Sequence, residues 1–224
     1  KNTLDAISYL CSKEKKVSSH YLISQNGTVY NLVDDKFRAW HAGQSFWHDN
    51  TDINSISIGI ELDYNPRGKN NKFSFKMMNS LKKIIRDKQI KYKIDKNSIL
   101  GHSDISPFRK IDPGKGFPWK VLVSSNIVLE FKKLKKNEIR IIEEWFNNYN
   151  VKSKKHIIII AMSLIGYDTR AINNNPKFYN KLISAYKSRY LNKNNFNNKL
   201  VYRTVISHLF NFMLTKNKIN LLQR

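Results

Sequence analysis

The chain has 224 residues, 41% of them apolar and 12% aromatic, which is material for one large domain or two small ones and excludes wholesale disorder. Forty Lys and Arg against seventeen Asp and Glu give a formal charge of +23, which favours anionic polymers as partners; the excess of Lys beside abundant Asn equally fits coding bias and does not single out nucleic acid. A lone cysteine, Cys11, excludes an internal disulfide framework and a cysteine-built zinc finger, so any metal here must use His and carboxylates.

Lys1-Asn2-Thr3-Leu4 leads straight into a helical pattern with no opening strand, so upstream residues, and any targeting signal with them, are expected to have been removed. Leu4, Ile7, Ser8 and Cys11 recur at helical spacing and predict an amphipathic helix lying on a sheet, with Cys11 a small buried residue. The β-prone runs 20–23 and 28–33 flank Asn26-Gly27 and predict a hairpin. Ile56 to Leu62 alternates with period two and predicts a central strand, and Lys76 to Lys91, with Met77, Leu81, Ile84 and Ile85 on one face, predicts a helix. Ser98 to His102 reads as a short strand running into a loop. Strands interleaved with helices predict an α/β domain over residues 1–125, a mixed central β-sheet flanked by helices. Beyond a linker at 126–136, segments 139–146, 156–164, 177–190 and 202–214 predict a small all-α C-terminal bundle over 137–224, with Asn192 to Asn198 as a solvated loop. No window approaches the ~20 apolar residues that cross a bilayer.

The richest stretch is Gly101-His102-Ser103-Asp104-Ile105-Ser106-Pro107 followed by Arg109-Lys110-Ile111-Asp112-Pro113-Gly114. An imidazole at a strand end and a carboxylate on a loop braced by two prolines and a glycine can converge as N and O ligands for Zn²⁺. The plainer alternative is a rigid surface loop in which His102 bonds backbone and Asp112 caps a turn. Glu61 is a single carboxylate in an otherwise apolar strand, where burial would raise its pKa toward the range of a general base. Trp40-His41-Ala42-Gly43 joins an aromatic platform to an imidazole, and Val17-Ser18-Ser19-His20-Tyr21 starts the hairpin, with His20 reading as a structural histidine. His48 is expected to be exposed in a polar loop or to make a minor contact in a groove, and His156 and His208, on helices, are not expected to be ligands.

As a set, VSSHYLI, AWHAG, SIGIEL, GHSDISPFRKIDPG and FPW resemble the zinc-dependent N-acetylmuramoyl-L-alanine amidase type 2 family, the AmpD-like amidases related to peptidoglycan recognition proteins, over residues 1–122 and in the family's order. The resemblance implies Zn²⁺ as cofactor, with His102 and Asp112 as two of three ligands and the third a His upstream of Lys1. It implies Glu61 as the carboxylate that activates water, Lys110 as a cation near the scissile carbonyl, and Trp40 and His41 beside the substrate groove. Arg109 is a second cation able to attract a stem-peptide carboxylate; the alternative is a solvated neighbour of Lys110. The implied reaction is hydrolysis of the amide joining N-acetylmuramic acid, or its anhydro form, to L-alanine in peptidoglycan or muropeptides. The alternative is a non-catalytic peptidoglycan-binding protein of the same fold with an incomplete metal site. Peptidoglycan or a muropeptide, rather than nucleic acid, is the expected partner of a monomer without a transmembrane segment. The expected location is the cell envelope or periplasm, with cytoplasmic recycling as the alternative. LIGYD, AYKSRY and TVISHL resemble a three-helix peptidoglycan-binding-like module and imply a wall-binding or packing role for 137–224.

Overall fold

A computed structural model describes residues 3–66, 68, 71–173, 175–191 and 197–222, with side chains as far as residue 215. In chain order the elements are α1 (Thr3–Leu10), β1 (Tyr21–Ile23), β2 (Val29–Asn31), β3 (Ile60–Leu62), α2 (Phe75–Tyr92), α3 (His102–Ile105), α4 (Trp119–Ser124), α5 (Lys136–Asn148), α6 (Lys154–Ile165), α7 (Pro176–Tyr190) and α8 (Asn198–Leu222). The expected α/β fold with a helical C-terminal part is what forms. Most of the Asn192–Asn198 run lies outside the described residues. The chain divides into two compact units: Lys1–Ser45, Asn50–Ile99 and Gly116–Val128 form the first, and Phe46–Asp49, Leu100–Lys115 and Leu129–Arg224 the second. The second unit thus takes in residues 46–49 and 100–115 from the front half of the chain.

The first unit is built on a mixed three-stranded sheet of order β2-β1-β3. β1 pairs antiparallel with β2, Leu22 opposite Tyr30, and parallel with β3, Leu22 opposite Glu61. The predicted hairpin is present, and its turn is longer than a two-residue loop: Gly27 N–H closes onto the Ser24 carbonyl at 3.0 Å, and the Asn26 side chain accepts the Thr28 N–H at 3.0 Å. Gly27 has φ +86°, and a Cβ there would sit 2.9 Å from the Lys76 carbonyl oxygen, so both conformation and space require glycine. α2 starts at Ser74, whose hydroxyl caps the Met77 N–H at 3.0 Å. Met77, Met78, Leu81, Ile84 and Ile85 share one face of α2 and pack with Tyr21, Ile23, Phe117, Trp119 and Leu122 as the core of this unit.

Three expectations are corrected here. α1 turns Thr3, Ala6, Ile7 and Leu10 partly inward while Leu4 and Cys11 are exposed, one residue out of register with the predicted face. The Thr3 hydroxyl, which hydrogen-bonds Asp63 at 2.5 Å, adds a polar anchor to the inward face that an apolar count ignores. The strand predicted over Ile56–Leu62 shortens to β3 and, among the described residues, lies at the edge of the three-stranded sheet, with Ile53–Ser55 in a 3₁₀ turn and Ile56 exposed. Ser98–His102 is not a strand: a 3₁₀ turn at Lys96–Ser98 is followed by α3, because the Asp104 carboxylate accepts the Gly101 N–H at 2.7 Å and starts a helical turn at His102.

Asp35, almost buried in the first unit, accepts from Tyr21 Oη (2.7 Å), Lys88 Nζ (2.5 Å) and Tyr92 Oη (3.0 Å). Burial alone would raise its carboxyl, but these hydrogen bonds outweigh burial and hold it down to about 2. A depressed carboxylate stabilises the fold above its ordinary value of 3.8, and that contribution disappears as pH falls toward about 2. Asp35→Asn should therefore cost about 2 kcal/mol at neutral pH by urea unfolding, and the deficit should shrink between about pH 4 and pH 2. A deficit that is the same at both ends of that window contradicts the assignment.

The second unit contains α3 and α5–α8. Its buried centre includes Ile158, Ala161, Met162 and Ile165 of α6 and Val205, Ile206 and Leu209 of α8. α6 ends at Gly166 (φ +125°), where a Cβ would fall 2.9 Å from the Trp47 ring and 3.0 Å from the His48 ring. His48, expected in the open, is half-buried and stacks on Phe212 with centroids 5.5 Å apart. His208 is buried, stacked on Phe131, and its pKa is pushed down to about 3 by burial and by Arg189.

Candidate active site

His102 is the first residue of α3, and Asp112 lies ten residues on, beyond the turn that follows. Backbone bonds bring the two ends together. Ser103 N–H donates to the Asp112 carbonyl at 2.8 Å, and the Ser106 carbonyl accepts Arg109 N–H (3.1 Å) and Lys110 N–H (2.9 Å). In that frame His102 Nδ1 lies 2.9 Å from Asp112 Oδ2, so the imidazole and carboxylate of the proline-braced segment do converge. Burial would raise the Asp112 carboxyl, but the hydrogen bond and charge of His102, with a further contribution from Lys110, hold it below the ordinary carboxylate range. Arg109 Nη2 lies 3.1 Å from Ser106 Oγ and 3.4 Å from His102 Nε2. His102, Arg109, Lys110 and Asp112 thus form one cluster within the second unit.

A catalytic zinc site takes three protein ligands and keeps one position open. An imidazole nitrogen and a carboxylate oxygen brought to one point suit that ion, and the mutual hydrogen bond proves that their side chains face each other. Among the described residues, no group of three His, Cys, Asp or Glu comes together as a metal site. The described residues therefore supply two donors and do not complete a centre.

Glu61, Trp40 and His41 belong to the first unit. Glu61 stands in β3 between the partly buried Ile60 and Leu62 and is exposed, which corrects the expectation of a buried carboxylate: its side chain points to the opposite face of the sheet from theirs. The AWHAG segment is held by side chains. Ser18 exchanges two hydrogen bonds with Trp40, through its N–H (3.1 Å) and its hydroxyl (2.9 Å), and Asn54 Oδ1 accepts the His41 and Ala42 N–H groups at 3.0 and 2.8 Å. Trp40 is left partly exposed. The Ser57 hydroxyl donates to the Ile53 carbonyl at 2.6 Å, so its oxygen accepts from His41 Nε2 at 2.9 Å.

His20 is structural, as expected. Buried, it accepts the Gly59 N–H at Nδ1 (3.0 Å) and so carries its proton on Nε2, which donates to the Phe37 carbonyl at 3.0 Å. Its ring meets that of His41 edge-on with centroids 5.4 Å apart. Gly59 makes the close approach possible, because a Cβ there would lie 2.3 Å from His41 Cγ. Gly59→Ala should destabilise the protein by about 1–3 kcal/mol through overpacking. Wild-type stability in urea would place His41 elsewhere.

Sequence reasoning missed Asn54, Ser57, Asp104, Tyr167 and Arg189. Asp104 carried a local signal, an acid three residues after the Gly101 that starts a helical turn. Arg189 carried none, since its partner Asp104 is 85 residues away.

The family profile described as N-acetylmuramoyl-L-alanine amidase matches residues 1–115. The 1,6-anhydro-N-acetylmuramyl-L-alanine amidase AmpD of Haemophilus influenzae is 41% identical over 114 residues, 50% of this chain and 60% of that protein. The N-acetylmuramoyl-L-alanine amidase AmiD of Escherichia coli is 36% identical over 127 residues, 51% of this chain and 46% of that protein. The chain thus spans about half the length of these relatives. In fold, the crystal structure of AmpDH3 from Pseudomonas aeruginosa superposes with a TM-score of 0.77 at 24% identity, covering 95% of this chain and 88% of that one.

Proposed function

Because the chain belongs to the N-acetylmuramoyl-L-alanine amidase family, we propose that it hydrolyses the amide between N-acetylmuramic acid, or its anhydro form, and the L-alanine of a stem peptide. The observation that carries the reading is the family match over residues 1–115, a stretch that holds every candidate site residue. In this reading His102 and Asp112 hold zinc, with a third ligand from outside the described set. Zinc, when bound, supplies acidification of water and polarisation of the carbonyl.

The chain's own residues carry the rest. Glu61 takes the proton from the attacking water and returns it to the nitrogen of L-alanine as the carbon–nitrogen bond breaks and the water oxygen joins the lactyl carbon. Glu61 is exposed, so substrate and solvent can reach its carboxylate. Lys110, whose charge is already felt at Asp112, stabilises the negative charge that develops on the lactyl oxygen. Trp40 and His41 line the groove, and Arg109 attracts a stem-peptide carboxylate. No helix among the described residues is long and apolar enough to cross a membrane. The charge of +23 would hold the protein to an anionic envelope, its proposed location.

Binding without cleavage is the second reading, favoured by the two-donor centre. Incubation with an anhydro-muropeptide, read by mass spectrometry with and without a chelator, separates them. Chelator-sensitive release of the stem peptide with a free L-alanine amine is the expected result. A bound but intact muropeptide supports the second reading, and absence of affinity contradicts both.

A further inference from the structure

The segment that carries His102 and Asp112 is held within the second unit by one face of α7. Asp104, two residues after His102, is 1% exposed, and its carboxylate is fully engaged. Oδ1 accepts Tyr167 Oη at 2.7 Å, and Oδ2 accepts both the Gly101 N–H at 2.7 Å and Arg189 Nη1. Arg189 and Tyr167 are themselves 5% and 0% exposed. Four residues further along the same segment, the Phe108 ring stacks on Phe178 with centroids 4.6 Å apart, and the Phe108 carbonyl accepts Lys181 Nζ at 2.9 Å. Phe178, Lys181 and Arg189 recur at a helical spacing that puts them on one side of α7.

Two physical points make this more than packing. Apolar residues of the same volume often stabilise a buried position as well as a charged pair does, so the buried Arg189–Asp104 pair matters for the direction it imposes. The direction is specific. Asp104 grips the N–H of Gly101, just before His102, from two residues after it, so the guanidinium and the tyrosine hydroxyl that orient this carboxylate also orient the turn on which the imidazole stands. The ring then meets Asp112, while Ser103 N–H holds the Asp112 carbonyl.

We propose that Arg189, with Tyr167, is a positioning residue for the candidate metal ligands: acting through Asp104, it sets the backbone at 101–104 so that His102 faces Asp112. The C-terminal helices are then part of the support of the active centre and not only a wall-binding appendage. The role assigned to the ligands rests on the amidase reading, whereas the anchoring itself can be read without it.

The test uses the whole chain. In Arg189→Met, amide hydrogen exchange at Gly101, Ser103 and Ser106 should accelerate by about tenfold, the scale of a lost charge-assisted hydrogen bond, and zinc affinity should weaken by about tenfold, as when the groups behind a metal ligand are removed. Phe146→Leu, which trims the buried Phe146 of α5, is the control for general loosening and should leave exchange at 101–106 and zinc affinity near wild type once matched for folded fraction. Tyr167→Phe keeps shape and charge and should give a smaller acceleration at the same amides, which retains a readout if Arg189→Met does not fold. Folded variants that exchange at wild-type rates at 101–106, or a control that accelerates these amides equally, would overturn the proposal. Absence of zinc uptake by the wild-type protein, together with the local exchange effect in the variants, sinks the ligand reading and leaves the anchor standing.

Discussion

Glu61→Ala should fold and take up zinc as the wild-type protein does, yet lose about two to four orders of magnitude in kcat, the range over which a positioned acid–base group acts. Its placement allows such a clean separation. Glu61 is exposed and its backbone register with Leu22 does not depend on the side chain, so removing the carboxylate leaves the strand pairing in place. Glu61→Gln keeps shape and polarity and should be as inactive, because the amide cannot take a proton from water. Thermal unfolding, zinc titration and steady-state kinetics on the three proteins distinguish the outcomes: an Ala variant with wild-type kcat removes Glu61 from the mechanism, and one whose KM alone changes makes it a binding residue.

The second large effect is expected at Asp112. Its two contributions to the segment can be parted, because the backbone carbonyl holds Ser103 N–H while the carboxylate meets His102. Asp112→Ala removes only the latter. The turn should persist, zinc affinity should fall on the order of 100-fold or more, beyond the range seen when a residue behind a ligand is lost, and activity at limiting zinc should fall with it. Asp112→Asn, which keeps an oxygen but not the charge, should lie between the two. Unchanged zinc occupancy in a folded Asp112→Ala protein would reduce the His102–Asp112 contact to an ordinary loop hydrogen bond.

What the sequence revealed and what it hid divide along physical lines. α2 and the helices of the C-terminal part repeat an apolar pattern over three or more turns, and the hairpin is marked by its glycine, so each was readable locally. α1 was rotated by one position because its inward face includes Thr3, fixed by a contact to Asp63 sixty residues away. Ser98–His102 reads as a strand because the apolar Ile99-Leu100 pair outweighs the weaker signal of Gly101 followed by Asp104. The His102–Asp112 pair could be found because both partners belong to one turn with its prolines and glycine. The hydrogen bond of His41 to Ser57 and the grip of Arg189 on Asp104 span 16 and 85 residues, and no local pattern announces them.

The most direct measurement is the position of the metal itself. Crystals of catalytically competent, zinc-loaded protein, measured at the zinc absorption edge, should give an anomalous peak about 2.0–2.2 Å from a ring nitrogen of His102 and from a carboxylate oxygen of Asp112, with the His102–Asp112 hydrogen bond replaced by the two metal contacts. An active protein whose anomalous peak lies on other residues, with His102 and Asp112 still bonded to each other, would contradict the account.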